Sequence, residues 1–353
     1  MAVMAEGAYA ESGVDTGQSD AAVRALVSVL GTIDTGRPRR AVMGSGHYAN
    51  VLRLDETTGL ALSTDGVGSK VIVAEQLARF DTVGIDCIAM NVNDLICVGA
   101  EPIALVDYIA VEQADPDMLA QVAEGLKAGA EQAGIEIPGG ELAQLPEVIR
   151  GHPSPTGFDL VGACVGLVKL DAIVTGDRVE PGDAIVGIPS SGLHSNGYTL
   201  ARRALPDLHE AFGDGTVGDA LIEPTRIYVR EVVGLLRSEV DVRGLAHITG
   251  DGFLNLGRLE AAVGYRITDA LPPHPIFGLI AERGETPPEE MYEVFNMGCG
   301  LCCVVPADDA EQAATALAGQ VIGEVTDRAG VIEVAGLEGR RGEGFRPAPT
   351  ASR

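Results

Sequence analysis

Residues Ser63 to Lys70 read STDGVGSK, and the apolar run Leu60 to Thr64 leads straight into them. The run has the character of a short strand, and the chain from Ser69 to about Phe80 reads as a helix. Gly66 and Gly68 let the backbone fold tightly between the two elements. A strand that hands over to a helix leaves free backbone N–H groups able to face an anion. GxxxxGK[ST] occurs nowhere, so this is not a Walker loop. Taken alone, the segment also fits a plain strand-to-helix turn with Lys70 in solvent.

Lys70 is unusual in its own chain. Of 25 basic residues only Lys70, Lys127 and Lys169 are lysine. A compact ammonium kept two residues after a Gly-x-Gly turn, where Arg serves almost everywhere else, points to a need for a point charge. Phosphate with a metal ion is the chemistry that fits, with Asp65 holding Mg²⁺ through oxygen and Lys70 neutralising phosphate.

Outward from this segment, strands and helices alternate. Helical patterns cover Ser19 to Gly31, Gly84 to Gly99 and Pro116 to Ala133, and strands are expected at Ile103 to Val111 and Phe158 to Val168. Gly139 and Gly140 read as a turn. After VEPGD, Val179 to Asp183, a second unit begins with a strand at Ala184 to Pro189 and helices at Gly197 to Leu205 and Ile227 to Leu236. Further strands are expected at Leu245 to Thr249, Tyr265 to Thr268, Leu301 to Val305, Ile322 to Val325 and Val331 to Val334. The order predicts an α/β (α+β) protein of two domains, residues 1–170 and 171–353, with residues 1–8 as a loose tail.

The net charge of −26, from 51 acidic against 25 basic residues, argues against nucleic acid and anionic lipid as partners. It also resembles the surface of proteins from salt-rich cytoplasm, where a Debye length of about 3 Å at 1 M removes most self-repulsion. No apolar run is long enough for a membrane span, and the first residues lack a basic segment before an apolar one, so the expected compartment is the cytoplasm. Cys87, Cys97, Cys164, Cys299, Cys302 and Cys303 lie in apolar segments without a paired zinc motif and read as reduced, packed thiols.

Other segments offer chemistry. Asp94, in NVNDL, interrupts an apolar helix, with Asn91 one turn before it on the same face. Asp107 stands in the apolar IALVDYIA, where an isolated carboxylate is costly. Glu141 follows two glycines and is a third possible Mg²⁺ ligand beside Asp65 and Asp94. In SSGLHSNGYTL, residues Ser190, Ser191, Ser195 and Asn196 place donors at a helix start suited to a sugar phosphate, or serve simply as a cap. His194 within it, and His247 before TGDGF, are candidates for general acid or base.

With these motifs in order, the sequence resembles the phosphoribosylformylglycinamidine cyclo-ligase (AIR synthetase) family. The likeness runs from AYAESGVD at Ala8 to Asp15 through STDGVGSK, GIDCIAMNVNDLICVGAEP, GGELAQLP, GFDLVGACVG, SSGLHSNGYTL, PTRIYV, HITGDGF and FNMGCG. It implies ATP-dependent closure of formylglycinamidine ribonucleotide to aminoimidazole ribonucleotide, with ADP and phosphate, in purine biosynthesis. It further implies a homodimer whose N-terminal strands form a shared barrel. Carried over, Asp65, Asp94 and Glu141 correspond to the Mg²⁺ and nucleotide carboxylates, and Gly66, Gly68 and Lys70 to the phosphate contacts. Ser191, His194, Ser195 and Asn196 resemble the substrate-phosphate segment, and His247 with Thr249, Gly250 and on to Gly252 a second-domain loop facing the site. The chain departs from the family where Gly44, Ser45 and Gly46 replace a longer Gly-rich loop. Leu142 and Gln144 stand where a hydroxyl and a carboxylate are commoner, and Asp251 where Gly is.

Overall fold

The computed structural model describes residues 16–349, so AYAESGVD and the expected tail lie outside the described residues. Helix α1 (Thr16–Leu30) is followed by β1 (Asn50–Arg53), β2 (Thr58–Gly66), α2 (Lys70–Leu77), α3 (Val83–Ile96) and β3 (Glu101–Val111). Next come α4 (Pro116–Ala133), β4 (Gly140–Gln144) and β5 (Phe158–Lys169). The five strands form one sheet in the order β1-β2-β5-β3-β4, antiparallel except for the β3–β4 pair.

The helices pack on one face of this sheet because the sequence permits close approach. Helix α4 starts where the Asp115 carboxylate accepts from the N–H groups of Asp117 and Met118, with Pro116 in the first turn, and stops at Gly134 in the left-handed region. On α3, a Cβ at Gly84 would stand 2.1 Å from the Leu126 nitrogen, so the α3–α4 contact requires glycine there. Gly162 on β5 does the same for the sheet, since a Cβ there would stand 2.7 Å from Asn91 Nδ2. Strand β5 alternates, burying Phe158, Leu160 and Cys164 against the helices.

The opposite face is uncovered. Leu62 on β2, Leu167 on β5, and Val106 and Tyr108 on β3 point there and are each 37 to 45% exposed, an apolar surface that a monomer would leave in water.

The second sheet has eight strands in the order β15-β14-β13-β10-β12-β6-β11-β9, from β6 (Ala184–Pro189), β9 (Gly244–His247), β10 (Gly264–Ile267), β11 (Cys299–Val305), β12 (Gln320–Thr326), β13 (Ile332–Val334), β14 (Leu337–Arg340) and β15 (Gly344–Pro347). A two-strand hairpin, β7 (Ala211–Phe212) and β8 (Gly215–Thr216), stands apart. Strand β11 is buried along its whole length, and its cysteines are free thiols inside it, as the sequence led one to expect. Helix α5 (Tyr198–Ala204) follows the Ser190–Gly197 loop. Strand β9 forms the edge that meets α3 and ends on His247. Among the described residues no helix is long and apolar enough to cross a membrane.

Candidate active site between the two sheets

The interface of α3 with β9 and the 190–197 loop gathers most of the expected residues. Asp65 closes the inner face of β2, where Asn91 Nδ2 donates to its carbonyl at 3.0 Å and its own carboxylate accepts from Gly66 N at 2.7 Å. Burial first, and then the negative charge of Asp94, push the Asp65 carboxyl above its ordinary pKa. The two carboxylates are therefore electrostatic neighbours, which suits a site that takes up a cation. Gly68, at φ +70°, carries the chain past the Ser195 carbonyl.

Asp94 reaches across to the second sheet. Its Oδ1 lies 2.9 Å from His247 Nδ1, and the imidazole is wholly buried. An ionised carboxylate can only accept, so Nδ1 carries a proton, and in the neutral ring the other nitrogen, Nε2, holds a lone pair. Nε2 is buried and has no partner in the protein.

His194 is the complementary case. Its Nε2 accepts from Ser191 N at 3.3 Å, which leaves the proton of a neutral ring on Nδ1, again buried and without a partner. Burial and, less strongly, the positive field of His247, Lys70, His274 and Arg226 hold its pKa well below the usual histidine value, so the neutral form is the stable one. The two rings lie 6.5 Å apart.

Around them, Ser191 Oγ donates to the Pro224 carbonyl at 2.6 Å, and Ser195 Oγ lies 3.3 Å from Thr225 Oγ1. Asn196 Nδ2 is buried without a partner, and its Oδ1 would stand 3.3 Å from a Cβ at Gly250. The Asn196 amide therefore lies beside the Thr249–Gly250 turn.

Two expectations are corrected. Glu141 does not join Asp65 and Asp94 within one chain. In the sheet register Asp65 lies opposite Gly162 and Asp107, whereas Glu141 lies opposite Tyr108, on the other face and three strands away. At ~4.8 Å per strand that is about 14 Å, and among the described residues no group of three acidic, His or Cys side chains could hold a metal.

Lys70 is not at the phosphates either. Its side chain and that of Asp86 are both 0% exposed, and Nζ lies 2.8 Å from Asp86 Oδ2. It also donates to the carbonyls of His194 at 3.2 Å and Glu223 at 2.6 Å. Three donors meet acceptors inside the protein, so none is left for a ligand.

Several contributors escaped the sequence reading. Asn93 bridges the sheets by donating to the Arg226 carbonyl at 2.9 Å and accepting from Tyr228 N at 3.0 Å. Asp86, one acid among the apolar residues of α3, was the visible hint of a buried charge. His47, beside Tyr48 in the shortened Gly-rich loop, has both ring nitrogens buried without partners. Nothing in its local sequence marks it.

Comparison with known proteins shows the family. Residues 46–168 match the family model for the AIR synthase related protein, N-terminal domain, and residues 180–335 the model for the AIR synthase related protein, C-terminal domain. The phosphoribosylformylglycinamidine cyclo-ligase of Methanothermobacter thermautotrophicus is 48% identical over 341 residues, covering 94% of this chain and 98% of that protein. The chain belongs to the phosphoribosylformylglycinamidine cyclo-ligase family. The cyclo-ligase of Thermococcus gammatolerans is likewise 48% identical over 315 residues, 86% of this chain and 90% of its own. Solved structures share the cyclo-ligase fold at low identity. Hydrogenase maturation protein HypE in complex with ATP superposes with a TM-score of 0.61 at 24% identity, over 86% of this chain and 88% of its own. AaThiL complexed with AMPPCP and TMP gives 0.62 at 17%, over 91% and 94%.

Proposed function

We propose that the cleft between the two sheets is where this cyclo-ligase closes formylglycinamidine ribonucleotide to 5-aminoimidazole ribonucleotide, consuming ATP and giving ADP and phosphate. The chain is a ring-forming C–N ligase of purine biosynthesis. The observation that carries the placement is the pair of buried imidazoles, one presenting a lone pair and the other an N–H, beside two carboxylates.

The γ-phosphoryl group of ATP passes to the formyl oxygen, and ADP leaves. The amidine nitrogen that bears the ribose then attacks the activated carbon, the C–O bond breaks, and phosphate departs. His247 Nε2, its ring oriented by the Nδ1 contact with Asp94, takes the proton from that nitrogen. His194 Nδ1–H donates a hydrogen bond to the oxygen on which negative charge gathers. Ser191, Ser195, Asn196, Thr249 and Gly250 hold the ribose phosphate of the substrate.

Mg²⁺ fits the site. Asp65 and Asp94 are two adjacent carboxylates, and Mg²⁺ is commonly held by one or two carboxylates together with nucleotide phosphates. Bound there, it would neutralise charge on the transferring phosphoryl group. Gly66 and Gly68 lie beside these carboxylates and form the backbone wall against the nucleotide. ATP use is in keeping with the nucleotide-bound relatives of this fold.

The same proposal includes a homodimer, supported by the uncovered apolar face of the first sheet, a division of the chain into residues 1–170 and 171–353, and a cytoplasmic location. Substrate labelled with ¹⁸O in the formyl group tests the chemistry. The label should appear in the released phosphate, and release into water with unlabelled phosphate would exclude the phosphorylated intermediate.

A further inference from the structure

Lys70 and Asp86 form a charge pair with no solvent exposure on either side chain, in a place where sequence and family likeness both led us to expect a phosphate contact. Removing two ions from water is costly unless good geometry and further hydrogen bonds offset it. Here the further bonds reach residues 194, 223 and 225. Lys70 Nζ donates to the carbonyl of His194, and that residue holds a left-handed backbone conformation, φ +63°, which a side chain with a Cβ does not choose freely. The same ammonium donates to the Glu223 carbonyl and stands 5.6 Å from the centre of the Tyr198 ring. Asp86 accepts from Thr225 N at 2.8 Å and Thr225 Oγ1 at 2.6 Å, and Thr225 in turn touches Ser195.

We infer that Lys70 and Asp86 are positioning residues, an inter-domain staple that fixes the backbone of His194 and the adjoining Ser195 so that the His194 imidazole meets the reacting atoms. The inference rests on the role proposed above for His194. It accounts for a lysine in an arginine-rich chain, because acceptors arriving from α3, residue 194 and residue 223 suit an ammonium with radial donors, not a planar fork. It also separates Lys70 from the nucleotide.

The test combines steady-state kinetics with a double-mutant cycle. Lys70→Met should lower kcat by about 10- to 100-fold, the scale of a slightly misplaced catalytic group. The KM for ATP should stay within about threefold of wild type, less than the tenfold change that 1.4 kcal/mol of lost binding gives. Lys70→Arg should not restore the rate. In His194→Asn the Lys70→Met change should cost little more, because nothing remains to be positioned. A large rise in the KM for ATP would return Lys70 to the phosphates and overturn the inference. So would a folded Lys70→Met enzyme with normal kcat, or full additivity with His194→Asn. Wild-type turnover in His194→Asn alone would instead remove the role of His194. Should Lys70→Met not fold, Thr225→Val removes the Oγ1 bond to Asp86 and the Oγ1 contact with Ser195 at nearly constant volume. It should still fold, with a melting temperature below wild type, while lowering kcat, and an unchanged kcat would overturn the staple.

Discussion

The 2.9 Å contact between Asp94 Oδ1 and His247 Nδ1 joins the first sheet's helix layer to the edge strand of the second sheet. It orients one imidazole and leaves Nε2 buried without a partner in the protein. Replacing Asp94 by Asn keeps the volume but removes the charge that holds the proton on Nδ1. Asp94→Asn is expected to lose roughly 10²-fold or more in kcat, the usual scale for a lost general base. Circular dichroism should show the fold intact, and turnover measured beside it gives the check.

Asp65→Asn is expected to weaken Mg²⁺–nucleotide binding without unfolding the chain. Its carboxylate is already strained by the neighbouring Asp94 charge, so the amide should be tolerated structurally. Nucleotide titration by calorimetry, with and without Mg²⁺, reads the effect. Wild-type affinity in this variant would remove Asp65 from the metal site.

His47 makes stability depend on pH. Burial lowers its pKa from 6.5 to about 4. Between those values an unfolded chain binds a proton that the folded chain refuses, so its contribution to stability falls as pH drops from about 6.5 to about 4 and is constant above and below. Thermal melts of His47→Gln across that window should fall less steeply than those of wild type. Parallel curves would show that the ring is not the titrating group.

The uncovered sheet face should be a subunit contact. Val106→Asp places a charge among Leu62, Leu167 and Tyr108, and light scattering should then report a monomer where wild type is a dimer. A monomeric wild type would end the homodimer reading.

The acidic surface carries its own expectation. With a net charge of −26, self-repulsion should make the protein melt at a higher temperature in molar KCl than in dilute buffer. The reverse order would dismiss adaptation to salt.

How far the sequence reached depends on where the information was local. Helix α4 was legible to the residue because Asp115, Pro116 and Gly134 mark its ends. Strand β5 was legible because it alternates. Strand β4 has no local strand signal, since Gly139 and Gly140 read as a turn and its pairing with β3 is a distant parallel contact. The helices Pro275–Arg283 and Pro288–Val294 lie among prolines, and no local pattern announces them. The site divides in the same way. Asp94 and His247 stood out chemically, yet only the fold could set them in contact. Register alone decides that Glu141 faces away from Asp65. Lys70 was noticed for its rarity, but its burial depends on carbonyls from residues 194 and 223, which no local pattern announces.

The most direct measurement of the central claim is a rapid-quench single turnover, with enzyme and ATP mixed against formylglycinamidine ribonucleotide. The account predicts ADP and aminoimidazole ribonucleotide in one-to-one yield, and no ADP when that substrate is left out. ADP formed equally without it, or with thiamine phosphate in its place, would contradict the account.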